Sequence, residues 1–174
     1  MKQVYKFRVG IRALAGKEKL KEKNITHAAI LVGTDLFEYG TNSKAMLASS
    51  IKYGSDIITL APNLRLSAKA ITDILKESTT WIFSEDGYRR ISNYNRHKQG
   101  EPFDWDEVGQ ALNGQTYVSP DELEKKIKES HQWTDGKYDI FNHNCHDFVK
   151  FCMEALGCPK TMTNKIFPCY RKQN

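Results

Sequence analysis

An amphipathic segment near the C-terminal end constrains the fold of this chain more than any other feature. From Cys145 onward, apolar side chains recur at helical spacing, and Gly157 followed by Pro159 marks a helix end. The apolar stripe consists of Cys145, Phe148, Val149, Cys152, Ala155 and Leu156. The spacing therefore predicts a helix with Cys145 in its first turn, facing the core.

The start of a helix changes the chemistry expected of a thiol. Helix N-termini carry a partial positive charge and unpaired N–H groups, which favour the thiolate, the nucleophilic form of cysteine. The neighbours of Cys145 are polar, with Asn142-His143-Asn144 before it and His146-Asp147 after it. We interpret Cys145 as a nucleophile, and a buried structural cysteine is the alternative.

A nucleophilic cysteine needs a base, and His27 is the candidate. It opens a run of small and β-branched residues that ends at Gly33, and residues 36–40 have the pattern of a returning strand. Because side chains alternate along a strand, His27 shares one face with Ala29 and Leu31. The pattern predicts a histidine held on a rigid β-hairpin.

The register of this hairpin suggests which residue orients the histidine. A tight loop would pair Val32 with Phe37, and by extension His27 with Asn42. Glu38 and Asn42 then fall on the face of His27. We expect one of these two side chains to orient the imidazole.

The rest of the pattern favours an α+β fold with a small antiparallel sheet packed against the cysteine-bearing helix. Strands are predicted near residues 3–9 and 57–60, and helices at 67–77, 104–112 and 119–130. Residues 81–83 are predicted as a strand or buried turn, and 84–100 as a surface excursion. We expect one domain over residues 1–174, with an elaborated middle region at about 43–116.

Composition limits the class of protein. Hydrophobic residues make up 40% of the chain and charged residues 27%, and no apolar run approaches the length of a membrane span. The first nine residues alternate rather than forming a signal-peptide core. We expect a cytoplasmic protein with reduced cysteines, with the nucleus as the alternative location. We expect no cofactor, and a zinc site around Cys145 lacks a second ligand pair.

Charge is distributed unevenly. The net charge is +5, and residues 1–23 alone carry eight Lys or Arg against two Glu. We expect residues 16–24 to form a solvated loop, and a patch for an acidic partner or anionic lipid is the alternative. No motif supports nucleic-acid binding.

The residues around the two candidates resemble a known family. His27 with Phe37-Glu38-Tyr39-Gly40 behind it, and the run Tyr138 to Cys145, are similar to the PPPDE family of permuted papain-fold peptidases, which includes desumoylating isopeptidases. The resemblance covers roughly residues 1–42 and 117–160. Its family pattern has Asn after the cysteine, where this chain has His146.

The resemblance implies a circularly permuted papain-like fold with Cys145 as nucleophile and His27 as base. It implies cleavage of an isopeptide or thioester bond, with ubiquitin-like protein conjugates as partners. Asn42 or Asn144 would supply an oxyanion donor beside the Cys145 N–H. His143 and His146 are expected at the rim or as capping groups.

Other functions remain open. The lecithin–retinol acyltransferase branch of the same fold also carries an Asn-Cys motif, but it tends to have a second histidine where this chain has Glu38-Tyr39. The bacterial cell-wall peptidases of this fold are normally exported. A non-catalytic module that binds ubiquitin-like tails is the third alternative.

Overall fold

Strands and helices alternate irregularly along the chain, as in an α+β fold. The computed structural model describes residues 2–60, 64–77, 87–105, 113–134, 136–160, 163 and 171–172. Within them, the strands are β1 (Tyr5–Ala13), β2 (Thr26–Val32), β3 (Asp35–Gly40), β4 (Ile57–Leu60), β5 (Leu64–Ser67), β6 (Gly87–Ile91), β7 (Gly114–Thr116) and β8 (Arg171–Lys172). The α-helices are α1 (Glu18–Lys21), α2 (Ser43–Ile51), α3 (Ala68–Leu75), α4 (Pro120–Ser130) and α5 (Cys145–Ala155).

The main sheet is antiparallel and has the strand order β6-β3-β2-β1-β7. A smaller antiparallel sheet has the order β5-β4-β8. The predicted strands near 3–9, 27–33, 36–40 and 57–60 and the helices at 67–77 and 119–130 are therefore confirmed. The helix at 104–112 and the strand at 81–83 lie largely or wholly outside the described residues.

Helix α5 packs on one face of the main sheet. Ala28 and Ile30 of β2 belong to one buried cluster with Phe148 and Val149 of α5. The opposite face of β2 carries Ala29 and Leu31, which pack instead against two aromatic side chains, Phe103 and Trp105. The alternation along β2 thus buries both faces, one under a helix and the other under a loop.

A second core lies between helices α2 and α3 and the segment before α5. Ile71 of α3, Ile58 of β4 and Phe141 are all fully buried in it. Ser67 caps α3, because its Oγ accepts from the N–H of Ala70 at 3.2 Å. The middle of the chain therefore forms a core that packs against the segment preceding Cys145.

Three details differ from the sequence predictions. The hairpin pairs Ala29 with Glu38 and Val32 with Asp35, a shift of two residues from the predicted register. The cause is a shorter connection, residues 33–34, in which Gly33 adopts φ +60°. Because the shift is even, every side chain keeps its predicted face.

The other two differences concern segments expected on the surface. Residues 87–91 form β6, which pairs with β3 at the edge of the main sheet. In the expected solvated loop, α1 buries Leu20 completely, and Lys17 is buried with its Nζ donating to the Glu77 carbonyl. Lys19 remains exposed, as expected.

Candidate functional site

Cys145 is the first residue of α5, as predicted, and its helix start is strongly capped. The Asn144 Oδ1 accepts from the N–H groups of His146 at 3.0 Å and Asp147 at 3.3 Å. The Asp147 carboxylate accepts in return from the Asn144 N–H at 2.9 Å, which completes a capping box. This reciprocal cap fixes the first turn of α5 and with it the Cys145 side chain.

The thiol lies against the first residue of β2. The Cys145 Sγ is 3.6 Å from the Thr26 carbonyl oxygen, which it contacts as a weak donor. That carbonyl belongs to the peptide bond joining Thr26 to His27. The structure therefore brings Cys145 to the backbone of the predicted base, and both residues are buried, with 0% and 4% exposure.

His27 is held by the acidic residue that its strand face predicts. The His27 Nε2 is 2.7 Å from the Glu38 Oε1. Glu38 is 1% exposed, and its other oxygen accepts from the Arg89 Nε at 3.0 Å and Nη2 at 2.9 Å. Of the two candidates for orienting His27, Glu38 makes the contact, and Asn42 caps α2 by accepting from the Ala45 N–H at 2.8 Å.

The charge states of this pair follow from their surroundings. Burial alone raises the pKa of Glu38, but the hydrogen bond and charge of His27, with Arg89 and Arg12, bring it down to about 2. Burial lowers the pKa of His27 below its ordinary 6.5, and Arg12 lowers it further against the opposing hydrogen bond with Glu38. At neutral pH, Glu38 is therefore ionised and His27 neutral.

This charge pattern selects one tautomer of the imidazole. An ionised carboxylate only accepts, so the His27 Nε2 carries the proton and donates it to Glu38. The basic lone pair of the ring is then on Nδ1. An imidazole oriented by a carboxylate in this way has the arrangement expected of a candidate general base.

The His27 side chain belongs to the face of the sheet opposite the apolar stripe of α5. Arg12 is its cross-strand partner, and the Phe103 ring lies 6.1 Å from the imidazole, centroid to centroid. Cys145 contacts the first residue of β2, next to His27 in the chain. Burial lowers the pKa of Arg12, and Cys145 is among the groups whose charge opposes that shift, so the thiol is within electrostatic range of this face.

The segment before Cys145 is held by residues that the sequence did not single out. The Asp139 carboxylate accepts from the Tyr53 hydroxyl at 2.7 Å and from the N–H groups of Phe141 at 3.0 Å and Asn142 at 3.1 Å. Lys52 forms an ion pair with the same carboxylate. Residues 52–53, from the region without a predicted role, thus fix the turn that leads to Cys145.

The two neighbouring histidines have different environments. His143 stacks on Trp133 at 4.4 Å and lies near the surface, as expected for a rim residue. His146 is 1% exposed, and its Nε2 lies 2.8 Å from the same Thr26 carbonyl that Cys145 contacts. A rim position for His146 is therefore wrong, because its side chain turns inward to the start of β2.

Both the oxygen and the nitrogen of the Asn144 side-chain amide form hydrogen bonds with backbone groups. Its Oδ1 caps α5, and its Nδ2 donates to the Ile140 carbonyl at 3.0 Å.

Among the described residues, no group of three or more His, Cys, Asp or Glu side chains is arranged to hold a metal ion. None of the described helices is both long and apolar enough to cross a membrane.

Compared with known proteins, the chain matches no family model, no curated protein sequence and no solved structure. The resemblance to the PPPDE family therefore depends on the motif residues around His27 and Cys145 and stays a prediction.

Proposed function

We propose that this chain is a thiol hydrolase that cleaves an isopeptide or thioester bond of ubiquitin-like protein conjugates. Cys145 is its nucleophile and His27 its base, on a circularly permuted papain-like fold. One observation carries the proposal. A capped helix start sets the Cys145 thiol against the Thr26–His27 peptide, while Glu38 holds the His27 ring.

The chain order agrees with the proposed permutation, since the strand bearing His27 precedes the helix bearing Cys145. The helix dipole favours the thiolate, and Glu38 stabilises the imidazolium that forms when His27 takes a proton. Each partner of a cysteine–histidine pair thus has a supporting group. We expect the enzyme to act in the cytoplasm or nucleus, where Cys145 stays reduced.

The proposed reaction has two half-steps. The thiol proton passes to the His27 Nδ1, and the Cys145 Sγ attacks the carbonyl carbon of the scissile bond. The carbon–nitrogen bond breaks, and the leaving lysine amine takes the proton from His27. Water, deprotonated by His27, then hydrolyses the thioester and regenerates the thiol. The Cys145 N–H is the proposed donor to the oxyanion.

A second candidate follows from the complete burial of Cys145. A side chain with 0% exposure meets no substrate until a neighbouring segment moves. This favours, as the alternative, a non-catalytic module that binds ubiquitin-like tails. The two functions differ in whether Cys145 forms a covalent product.

Covalent capture tests the proposal. The full chain is incubated with electrophilic probes carrying ubiquitin, SUMO or a lipid acyl group. We expect capture by a ubiquitin-like probe, loss of capture in Cys145→Ala, and a fall of about 10²-fold or more in His27→Ala, the usual effect of removing a positioned base.

The control is His143→Ala, which removes an imidazole outside the Cys145–Thr26 contact and should keep the parental rate. Capture by the lipid probe alone would contradict the isopeptidase assignment and favour the acyltransferase type. Binding of ubiquitin-like protein without any capture, in folded protein, would favour the non-catalytic module.

A further inference from the structure

A cavity of about 510 Å³ opens beside the Glu38 carboxylate, on the face of the sheet opposite α5. Its polar wall includes Arg12, Arg89 and Lys98, and its apolar wall includes Leu36 and Phe103. A cavity of this size accommodates a small organic molecule. The proposed reaction assigns no role to it.

Arg12 is the unusual group in this wall. It is 7% exposed, and its Nε–H is buried without a hydrogen-bond acceptor among the described residues. Its Nη2 lies 3.7 Å from the Glu38 Oε1, which is an ion pair but too long for a hydrogen bond. A buried donor without an acceptor is costly, particularly on a charged group.

The charges around the cavity do not balance. Three cations line it, and the carboxylates in the lining are Glu38 and Glu101. Glu38 already accepts from His27 and Arg89, and Glu101 accepts from the Trp105 Nε1 at 2.9 Å. Both carboxylates are thus engaged, the lining carries a net charge of +1, and the buried Arg12 Nε–H has no acceptor in the described part of the chain.

We infer that this cavity binds a carboxylate or phosphate carried on a small apolar body, with Arg12 and Arg89 on the anion. A guanidinium presents paired donors that match both oxyanions. Phe103, which stacks under the Arg12 guanidinium at 5.3 Å, and Leu36 form the surface for the apolar part. The cavity shares Glu38 with the proposed base, but anion binding there does not require the reaction at Cys145.

The inference is tested by titrating the full chain with benzoate, phenyl phosphate and the neutral benzamide. Binding is followed by the NMR resonance of the Arg12 Nε–H, assigned by its loss in Arg12→Lys, and by the shift in melting temperature. We expect one or both anions to shift the resonance and benzamide to leave it in place. Whichever anion binds more tightly identifies the carboxylate or the phosphate as the preferred group.

Variants distinguish a specific anion-binding site from general electrostatic attraction of the anion to a positively charged surface. Arg89→Gln removes a partly exposed cation at the cavity and should weaken binding about 10-fold or more, the usual effect of losing a charge-assisted hydrogen bond. Arg8 lies on the same face of β1 as Arg12 but outside the cavity lining. Arg8→Gln therefore removes one positive charge without changing the cavity, and it should leave the affinity unchanged. If Arg12→Lys fails to fold, the resonance is assigned by through-bond NMR, and Arg89→Gln decides.

The inference is overturned if neither anion shifts the Arg12 resonance, or if Arg8→Gln weakens binding as much as Arg89→Gln. It is also overturned if benzamide binds as tightly as the anions, because the positive wall would then contribute nothing. These outcomes are independent of covalent capture at Cys145, so the two proposals can fail separately.

Discussion

The Glu38 carboxylate determines the chemistry of the buried charge cluster on the sheet. It is nearly inaccessible to water and accepts from both His27 and Arg89. A buried carboxylate is retained in its ionised form only by such partners. The hydrogen bond and charge of His27, together with Arg89 and Arg12, lower the pKa of Glu38 despite its burial.

We predict that Glu38 makes the protein sensitive to acid. Its pKa is about 2 in the folded chain against an ordinary 4.5, so the folded state binds fewer protons than the unfolded one between these values. The stabilisation by Glu38 is complete above pH 4.5 and is lost as the pH falls toward 2. The loss is on the order of 3 kcal/mol.

Glu38→Gln should remove this part of the pH dependence while lowering stability at pH 7. The measurement is the free energy of unfolding by urea at several pH values. Glu129→Gln, at an exposed position on α4, is the matched control and should follow the parental curve. A Glu38→Gln curve that parallels the parent between pH 4.5 and 2 would show that Glu38 is not held by its partners.

The contact between the His27 and Glu38 side chains could be predicted from the sequence, but the buried position of the His146 side chain could not. Strand alternation alone places Glu38 on the face of His27, and an even register error leaves that intact. For His146, a helical projection gives its angle relative to Cys145 but says nothing about where β2 begins. The Thr26 carbonyl, which His146 meets, is a long-range tertiary contact without a sequence signal.

At the scale of elements, the sequence predicts what has regular periodicity. The apolar stripe of α5 and the helical pattern at 119–130 are local, and both helices are confirmed. Strand β6 was missed because its sequence, GYRRI, carries two adjacent arginines. Arg89 and Arg90 are tolerated there because Glu38 and Asp35 on the neighbouring strand neutralise them, which depends on pairing across the sheet.

The cap of α5 offers a prediction about the helix that positions Cys145. Asn144→Ala removes the acceptor for two first-turn N–H groups and should lower stability by about 1 kcal/mol, the usual value for a lost N-cap. Because the first turn then frays, the reactivity of Cys145 toward iodoacetamide at neutral pH should also change. Urea unfolding and mass spectrometry of the labelled thiols measure the two effects.

Ser119→Ala is the matched control, since Ser119 caps α4 through the Glu122 N–H at 3.1 Å. It should cost a similar stability and leave the labelling of Cys145 unchanged relative to Cys158. If Asn144→Ala lowers stability but Cys145 labels as in the parent, the cap serves the helix alone.

For the whole molecule, the arrangement of the two sheet faces matters most. One face is closed by α5. The other is covered by residues 103–105, here called the cover, through Phe103 and Trp105. This cover is attached to the edge of β1 by paired hydrogen bonds between Ile11 and Asp104, at 3.0 and 2.7 Å. Phe103 of this cover lies 6.1 Å from the His27 ring, centroid to centroid, so access to His27 depends on the cover.

Gly10 is the point where the cover fits most closely. A Cβ built at Gly10 would lie 2.6 Å from the Trp105 Cε3, closer than real contacts allow. We predict that Gly10→Ala displaces Trp105 and loosens the cover, because a ring wedged against a strand has no small adjustment that relieves the overlap. Amide exchange at Ile11 and Asp104 should become faster, and labelling of Cys145 should rise if the cover limits access to the thiol.

Gly114→Ala separates this effect from general loss of stability. Its Cβ would lie 2.5 Å from the Phe7 Cζ, an overlap of similar size, but Phe7 belongs to the core on the α5 face. The variant should lower the melting temperature without selectively exposing Asp104. Equal acceleration of exchange at Asp104 in both variants would mean that the cover opens only with global unfolding. Selective acceleration in Gly10→Ala would instead make the cover a separately opening unit above the buried His27 and Arg12.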